Sequence, residues 1–161
     1  MQHLVNAFWR TVYRLGYPCA VVVWRLTKKA GKGATIAVWH DGRLLCVRES
    51  YRPGLGLPGG GLLPGETDEA AARRELFEEV GLDLEPALFR RRRALDYDSD
   101  GRLIEDVLFE VELAAPRPLR IDQREIVWAG FLTPDEIRRG EMQKGVRLYL
   151  EACDERRPAL V

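Results

Sequence analysis

Cysteine is scarce in this chain. Three in 161 residues, Cys19, Cys46 and Cys153, stand far apart with no paired metal spacing, which argues against a disulfide framework and a thiolate zinc centre. Each reads as a small buried hydrophobe in a reducing compartment, so a cytoplasmic location is expected. An excess of one charge is lacking too. Lys+Arg and Asp+Glu both total 25, which gives no reason to expect general nucleic-acid binding. No apolar run approaches the ~20 residues of a membrane span, and repeats and low-complexity linkers are absent from the sequence. The length suits one domain with a packed core.

What the chain does have is concentrated between Gly60 and Leu82, in the pattern Gly60-x5-Glu66-x7-Arg74-Glu75-Leu76-x-Glu78-Glu79-x-Gly81-Leu82. Thr67 to Val80 reads as one helix. Thr67 is a good N-cap, Asp68 and Glu69 put negative charge at the positive end of the dipole, and Gly81 stops the helix. Ala70 stands where a capping box would need Glu or Gln. Leu76, Phe77 and Val80, with Ala70 beside them, form the expected apolar stripe. Glu75, Glu78 and Glu79, at i, i+3 and i+4, share the other side. Left uncompensated, such like-charge pairs destabilise a helix by roughly 0.2–0.5 kcal/mol each. The ordinary reading of a Glu-rich helix is a solvated face. Here Leu57-Pro58-Gly59-Gly60-Gly61 brings a turn with backbone carbonyls to the helix start, and oxygen donors suit a hard cation such as Mg²⁺.

This pattern resembles the signature of the Nudix hydrolases at every specified position. The resemblance implies an α/β fold, a Nudix-like α/β/α sandwich with a mixed sheet. It also implies Mg²⁺-dependent hydrolysis, with Mn²⁺ as an alternative metal, of a phosphoanhydride in a nucleotide or a nucleoside diphosphate joined to another group. It assigns the metals to Glu75, Glu78 and Glu79, joined by the carbonyl of Gly59. Arg74 would orient the glutamates and Glu66 would hold the loop to the helix. Leu63 stands where many members carry another acid, which removes one outer carboxylate and leaves the required ones. A second stretch, Glu125 to Ile137, also resembles the family, with Phe131 where Trp is more usual. Glu125 there is a further ligand or general base, or else an ordinary surface acid before a strand. The proton acceptor stays open among Glu75, Glu78, Glu79 and Glu125. A nucleotide-binding regulator on the same fold is the alternative function.

The rest of the chain frames this centre. Gly54-Leu55-Gly56-Leu57-Pro58-Gly59 spells a dinucleotide fingerprint, but Pro58 and the further glycines deny it the helix it needs. Residues 1–33 read as an N-terminal helical extension, 34–153 as the Nudix domain and 154–161 as a frayed tail. Val5, Phe8, Trp9 and Val12 make an amphipathic helix, interrupted by Gly16-Tyr17-Pro18 before the short run Cys19 to Trp24. A secretory leader is weighed and set aside, because that run is short and no small-residue cleavage pattern follows. The helix is expected to pack on its own domain or on a second copy in a homodimer, in preference to a membrane surface. Ala34–Trp39 and Arg43–Arg48 read as a hairpin around Asp41-Gly42. Ala87–Tyr97 and Leu103–Leu113 read as a second hairpin, Ile126–Leu132 as a strand, and 134–139 and 141–153 as helices. Arg90-Arg91-Arg92-Arg93 reads as a solvated or edge-protecting run, with phosphate binding by Arg91 as the alternative. Tyr51, Trp39 and Tyr97 are candidates to stack on a base, or ordinary packing. Tyr97 lies near where dinucleoside polyphosphate hydrolases carry a tyrosine.

Overall fold

Asp41 and Gly42 turn the chain as their dipeptide predicts, both at positive φ (49° and 69°), the conformation a two-residue hairpin demands. In the computed structural model, which describes residues 2–27, 30–99 and 101–155, they join β1 (Gly31–His40) to β2 (Arg43–Glu49). The two strands pair only beside the turn, at Trp39↔Leu44 and His40↔Arg43. Beyond that they part, and the glycine-rich segment fills the gap. Gly56 exchanges hydrogen bonds of 2.9 Å with Val47, Pro58 accepts from Ile36, and Gly59–Gly61 forms β3 against Gly33–Thr35 of β1. A turn was expected at these glycines. They are recruited into the sheet because the splayed hairpin leaves β1 donors and acceptors to satisfy.

On its other side β1 runs parallel to β5 (Arg102–Glu112), which pairs antiparallel with β4 (Arg90–Ser99), while β6 (Ile126–Leu132) lies antiparallel along β2. The order is β4-β5-β1-β2-β6, with β3 on β1, so the sheet is mixed. One face packs Ile36, Val38, Leu45, Val47 and Phe109 against Ala72, Leu76 and Val80 of α2 (Asp68–Val80). The opposite face packs Ala37, Leu44, Cys46 and Leu108 against Val146, Tyr149 and Leu150 of α4 (Lys144–Asp154), and Ile137 of the short α3 (Pro134–Arg138) joins it. This is the α/β/α sandwich. Helix α4 starts three residues later than expected, because Glu141 and Gln143 are tied through backbone hydrogen bonds of 2.9 Å to Leu55.

Several elements differ from the sequence reading. Phe77 is 57% exposed, and the buried residues of α2 are Ala71, Ala72, Leu76, Val80 and Glu79; Ala70 is exposed as well. The helix is turned so that Glu79 faces the loop. Helix α1 runs unbroken from Gln2 to Thr27 through Pro18. Proline removes one backbone donor, but contacts on both sides of it hold the halves to one body: Tyr13 and Tyr17 pack on Tyr51, and Arg102 lies over Trp24. The residues expected to pack inward, Val5, Phe8, Trp9 and Val12, are instead 40–62% exposed. The aromatic face of the helix meets the domain. Cys46 is buried, whereas Cys19 is exposed. Residues 156–161 of the expected tail lie outside the described residues.

Candidate active site

Two glycines bring the loop onto α2. At Gly59 a Cβ would stand 2.6 Å from the Ala34 carbonyl oxygen and 2.7 Å from Thr35 Cα; at Gly60 it would collide with the Glu75 carboxylate. With no side chains there, Gly59 N–H donates to Glu79 Oε2 at 3.2 Å. Arg74 ties loop and helix together. Its Nε and Nη2 donate to the two oxygens of Glu66 at 2.9 Å each, Nη1 to Glu75 Oε1 at 2.6 Å and Nη2 to the Gly61 carbonyl at 3.0 Å. Its contact with Glu78 is longer, 3.4 Å. Glu66 also accepts from Leu63 N–H. Arg74 holds the Glu66 carboxyl down at about 2. This fork is a bidentate ion pair of the kind that fixes geometry.

Four carboxylates gather beside it. Glu79, only 7% exposed, has its pKa raised well above the carboxylate range by burial and then by the charges of Glu49, Glu75 and Glu125. Glu75 and Glu125 are also raised, burial first, against the pull of Arg74 and of the Tyr51 hydroxyl respectively. Glu125 is set by its loop: Asp122 Oδ1 accepts from the N–H groups of Arg124, Glu125 and Ile126 at 3.0–3.1 Å, and Tyr51 donates to Glu125 Oε1 at 2.8 Å. Glu49, at the end of β2, is held by Arg52 at 2.7 and 2.8 Å. Nothing in its spacing from the box marked Glu49; only its place at a strand end was legible. Glu78 is largely exposed.

Among the described residues no three His, Cys, Asp or Glu side chains are already grouped to hold a metal ion. Glu75 is turned onto Arg74. The donors nevertheless fit a hard cation, since buried carboxylates crowded enough to raise one another's pKa favour a compensating positive charge.

Two of these acids, Glu49 and Glu125, stand at one end of a cavity of about 510 Å³ between the sheet and α1. Glu49, Glu125, Tyr51, Arg52 and Gly59–Gly61 line that end. Tyr97, Leu95, Ile104 and Leu108 line the floor, and Tyr13, Tyr17, Ala20 and Trp24 of α1 form the roof. Tyr51 is therefore in the site, but its ring is occupied by Tyr13 and Tyr17 at centroid distances of 5.8 and 4.9 Å. Trp39 is packing: its Nε1 donates to Tyr149 at 2.6 Å. Arg90 and Arg93 lie on edge strand β4 and do not line this cavity; the side chain of Arg91 lies outside the described residues. Sequence reasoning missed Asp106. It is 3% exposed on the cavity face of β5, with Oδ2 accepting from Thr35 Oγ1 at 2.6 Å and Oδ1 unpartnered. The available signal was an acid in register with Ile104 and Leu108 on an apolar strand face.

Solved structures share this fold. A MutT NUDIX hydrolase from Burkholderia pseudomallei superposes with a TM-score of 0.68 at 24% identity, over 76% of this chain and 97% of that one. A bifunctional NMN adenylyltransferase/ADP ribose pyrophosphatase from Francisella tularensis, complexed with AMP and a Mn ion, gives 0.70 at 19% identity, over 87% of this chain and 47% of that one. This chain thus spans about half the length of that enzyme. A NUDIX hydrolase from Nitrosomonas europaea gives 0.62 at 24%, over 76% and 87%. No curated protein matches the sequence. These likenesses establish the fold, and the sequence profile of the NUDIX domain matches residues 29–153, the segment that carries the sheet, the Arg74 fork and all four gathered carboxylates. By that match the chain belongs to the NUDIX family.

Proposed function

We propose that this protein is a divalent-metal-dependent pyrophosphohydrolase acting on a nucleoside diphosphate joined to another group. The observation that carries the reading is the clustering of Glu49, Glu75 and Glu125 around Glu79, close enough to raise its pKa, beside a 510 Å³ cavity that Glu49 and Glu125 line, a volume in the range of small-molecule sites. The AMP and Mn ion in the Francisella enzyme support a nucleotide and this class of metal.

Glu75, Glu78 and Glu79, with the Gly59 carbonyl, would hold the cation. A divalent ion bound there supplies neutralisation of the phosphate charge and a water of lowered pKa. The chain's own residues position and accept. Arg74 keeps Glu75 beside the loop through its 2.6 Å contact, and Glu49 is fixed by Arg52. Glu125 lines the cavity next to the other acids. Of the three site glutamates whose pKa burial raises, Glu75, Glu79 and Glu125, it is the one that lines the cavity, and Tyr51 orients it. We assign Glu125 as the proton acceptor for the attacking water. Breaking P–O–P this way needs positioning and charge stabilisation, with no covalent nucleophile.

The test is Glu79→Gln, which can keep the Gly59 N–H bond. Turnover on a panel of nucleoside diphosphate derivatives with Mg²⁺ or Mn²⁺ should fall about 100-fold or more. The metal-free variant should melt no lower than wild type, because a buried acid with a raised pKa is removed. Free metal at ten times Kd should stabilise the wild type by about 1.4 kcal/mol and the variant by less. Equal stabilisation of both, or near-wild-type turnover by the folded variant, would sink the assignment.

A further inference from the structure

Helix α1 is amphipathic in an unusual sense: a face of Tyr13, Tyr17 and Trp24 is inward and a mostly aliphatic face is outward. At about 100° per residue, Leu4, Phe8, Leu15, Val22 and Leu26 fall within about 40° of one another on the helix surface, and Tyr13, Tyr17 and Trp24 fall on the opposite side. The five outward side chains are 76, 62, 70, 56 and 78% exposed. Val5, Val12 and Val23 flank them, at 44, 40 and 54%. The stripe therefore runs the length of a 26-residue helix, or about 39 Å. Single exposed apolar residues need no explanation, but a contiguous stripe marks an interaction surface.

Charge selects the occupant. The first forty residues contain Arg10, Arg14, Arg25, Lys28, Lys29 and Lys32 and no Asp or Glu. Since the whole chain balances 25 against 25, the remainder carries six acids in excess. Arg10 and Arg14 donate to the carbonyl oxygens of Gln123 and Ser50, contacts that anchor the helix to the domain. A second copy of this chain is a poor occupant. Outside α1, the exposed large apolar side chains among the described residues, Leu63, Phe77, Leu88, Leu103, Val127 and Trp128, are spread over loops, α2, β5 and β6. The complement of matching length in another copy is the same stripe, and pairing it with itself brings two basic, acid-free segments together. Among the described residues, no helix is long and apolar enough to cross a membrane. A basic helix with a continuous apolar stripe is suited to lie in the plane of a bilayer surface.

We propose that the outward face of α1 docks on an anionic phospholipid surface, with Leu4, Phe8, Leu15, Val22 and Leu26 entering the headgroup region. Docking by this face leaves the aromatic roof over the cavity.

The experiment is sedimentation of the full chain with vesicles of phosphatidylcholine alone and of phosphatidylcholine with phosphatidylglycerol. Wild type should pellet with the anionic vesicles roughly tenfold more than with the neutral ones, and less in high salt. The triple variant Phe8→Gln/Leu15→Gln/Leu26→Gln and the single variant Leu15→Gln should lose binding in graded fashion, with helicity by circular dichroism unchanged. Light scattering of the lipid-free proteins completes the test. Wild type left in the supernatant with anionic vesicles overturns the proposal, as does undiminished pelleting of a folded triple variant. A wild-type dimer that the triple variant converts to monomer also overturns it, by showing that the stripe is a self-contact.

Discussion

At the scale of single residues, Asp106 is held against its own ionisation. Burial lifts its pKa from 3.8 to about 6, against the pull of the Thr35 hydroxyl. Between about pH 4 and 6 the folded state binds a proton that the unfolded chain has released, so stability falls as pH rises through that window. The loss amounts to about 3 kcal/mol at 1.36 kcal/mol per unit, complete above the folded-state pKa. Asp106→Asn keeps an acceptor for Thr35 and removes the titration. It should match wild type near pH 4 and exceed it by up to about 3 kcal/mol at pH 7.5, read by urea denaturation across pH. Parallel curves for the two proteins would show that Asp106 is not the group responsible. An acid that costs stability in a cavity wall, with one oxygen unpartnered, is the kind of group retained for a ligand.

At the scale of elements, β3 shows why some of the fold was legible and some was not. Helix α2 could be read because its signals are local: Thr67 accepts from Ala70 N–H at 3.2 Å, and Gly81 ends the helix at φ 72°. The β1–β2 turn was legible for the same reason. Three consecutive glycines carry no strand signal, and β3 exists only because β1 and β2 diverge. The site divides likewise. Glu75, Glu78, Glu79 and Glu125 stood out by spacing or resemblance. Glu49 and Asp106 come together with them, or with the cavity, only through the sheet register. The two loop glycines should respond differently to a methyl group. Gly59→Ala meets backbone atoms at Ala34 and Thr35, so it should displace β3 and lower the melting temperature by several degrees, the cost of about 1–3 kcal/mol of overpacking. Gly60→Ala meets only the end of the Glu75 side chain; the carboxylate swings away, and activity should fall with little change in melting temperature. Equal thermal penalties at the two positions would contradict this account.

At the scale of the molecule, the cavity is closed by a helix that lies outside the matched segment 29–153. Arg10 and Arg14 fasten it at 2.8 and 2.9 Å, and Arg52 over Tyr17 and Arg102 over Trp24 add cation–π contacts. Loosening the roof should weaken substrate binding and leave the carboxylates in place. Arg10→Ala/Arg14→Ala should therefore raise KM several-fold at nearly constant kcat, the pattern of lost uniform binding; a fall in kcat alone would place the helix in the chemistry. Both arginines grip carbonyl oxygens, which every amino acid supplies. Under mutational drift the clamp is then constrained on one partner only. Positions 10 and 14 should tolerate almost nothing, while position 50, whose buried hydroxyl is unpartnered, should accept Ala, and position 123, at φ 61°, should accept Asn or Gly. The roof can keep its hold while the surface beneath it changes sequence.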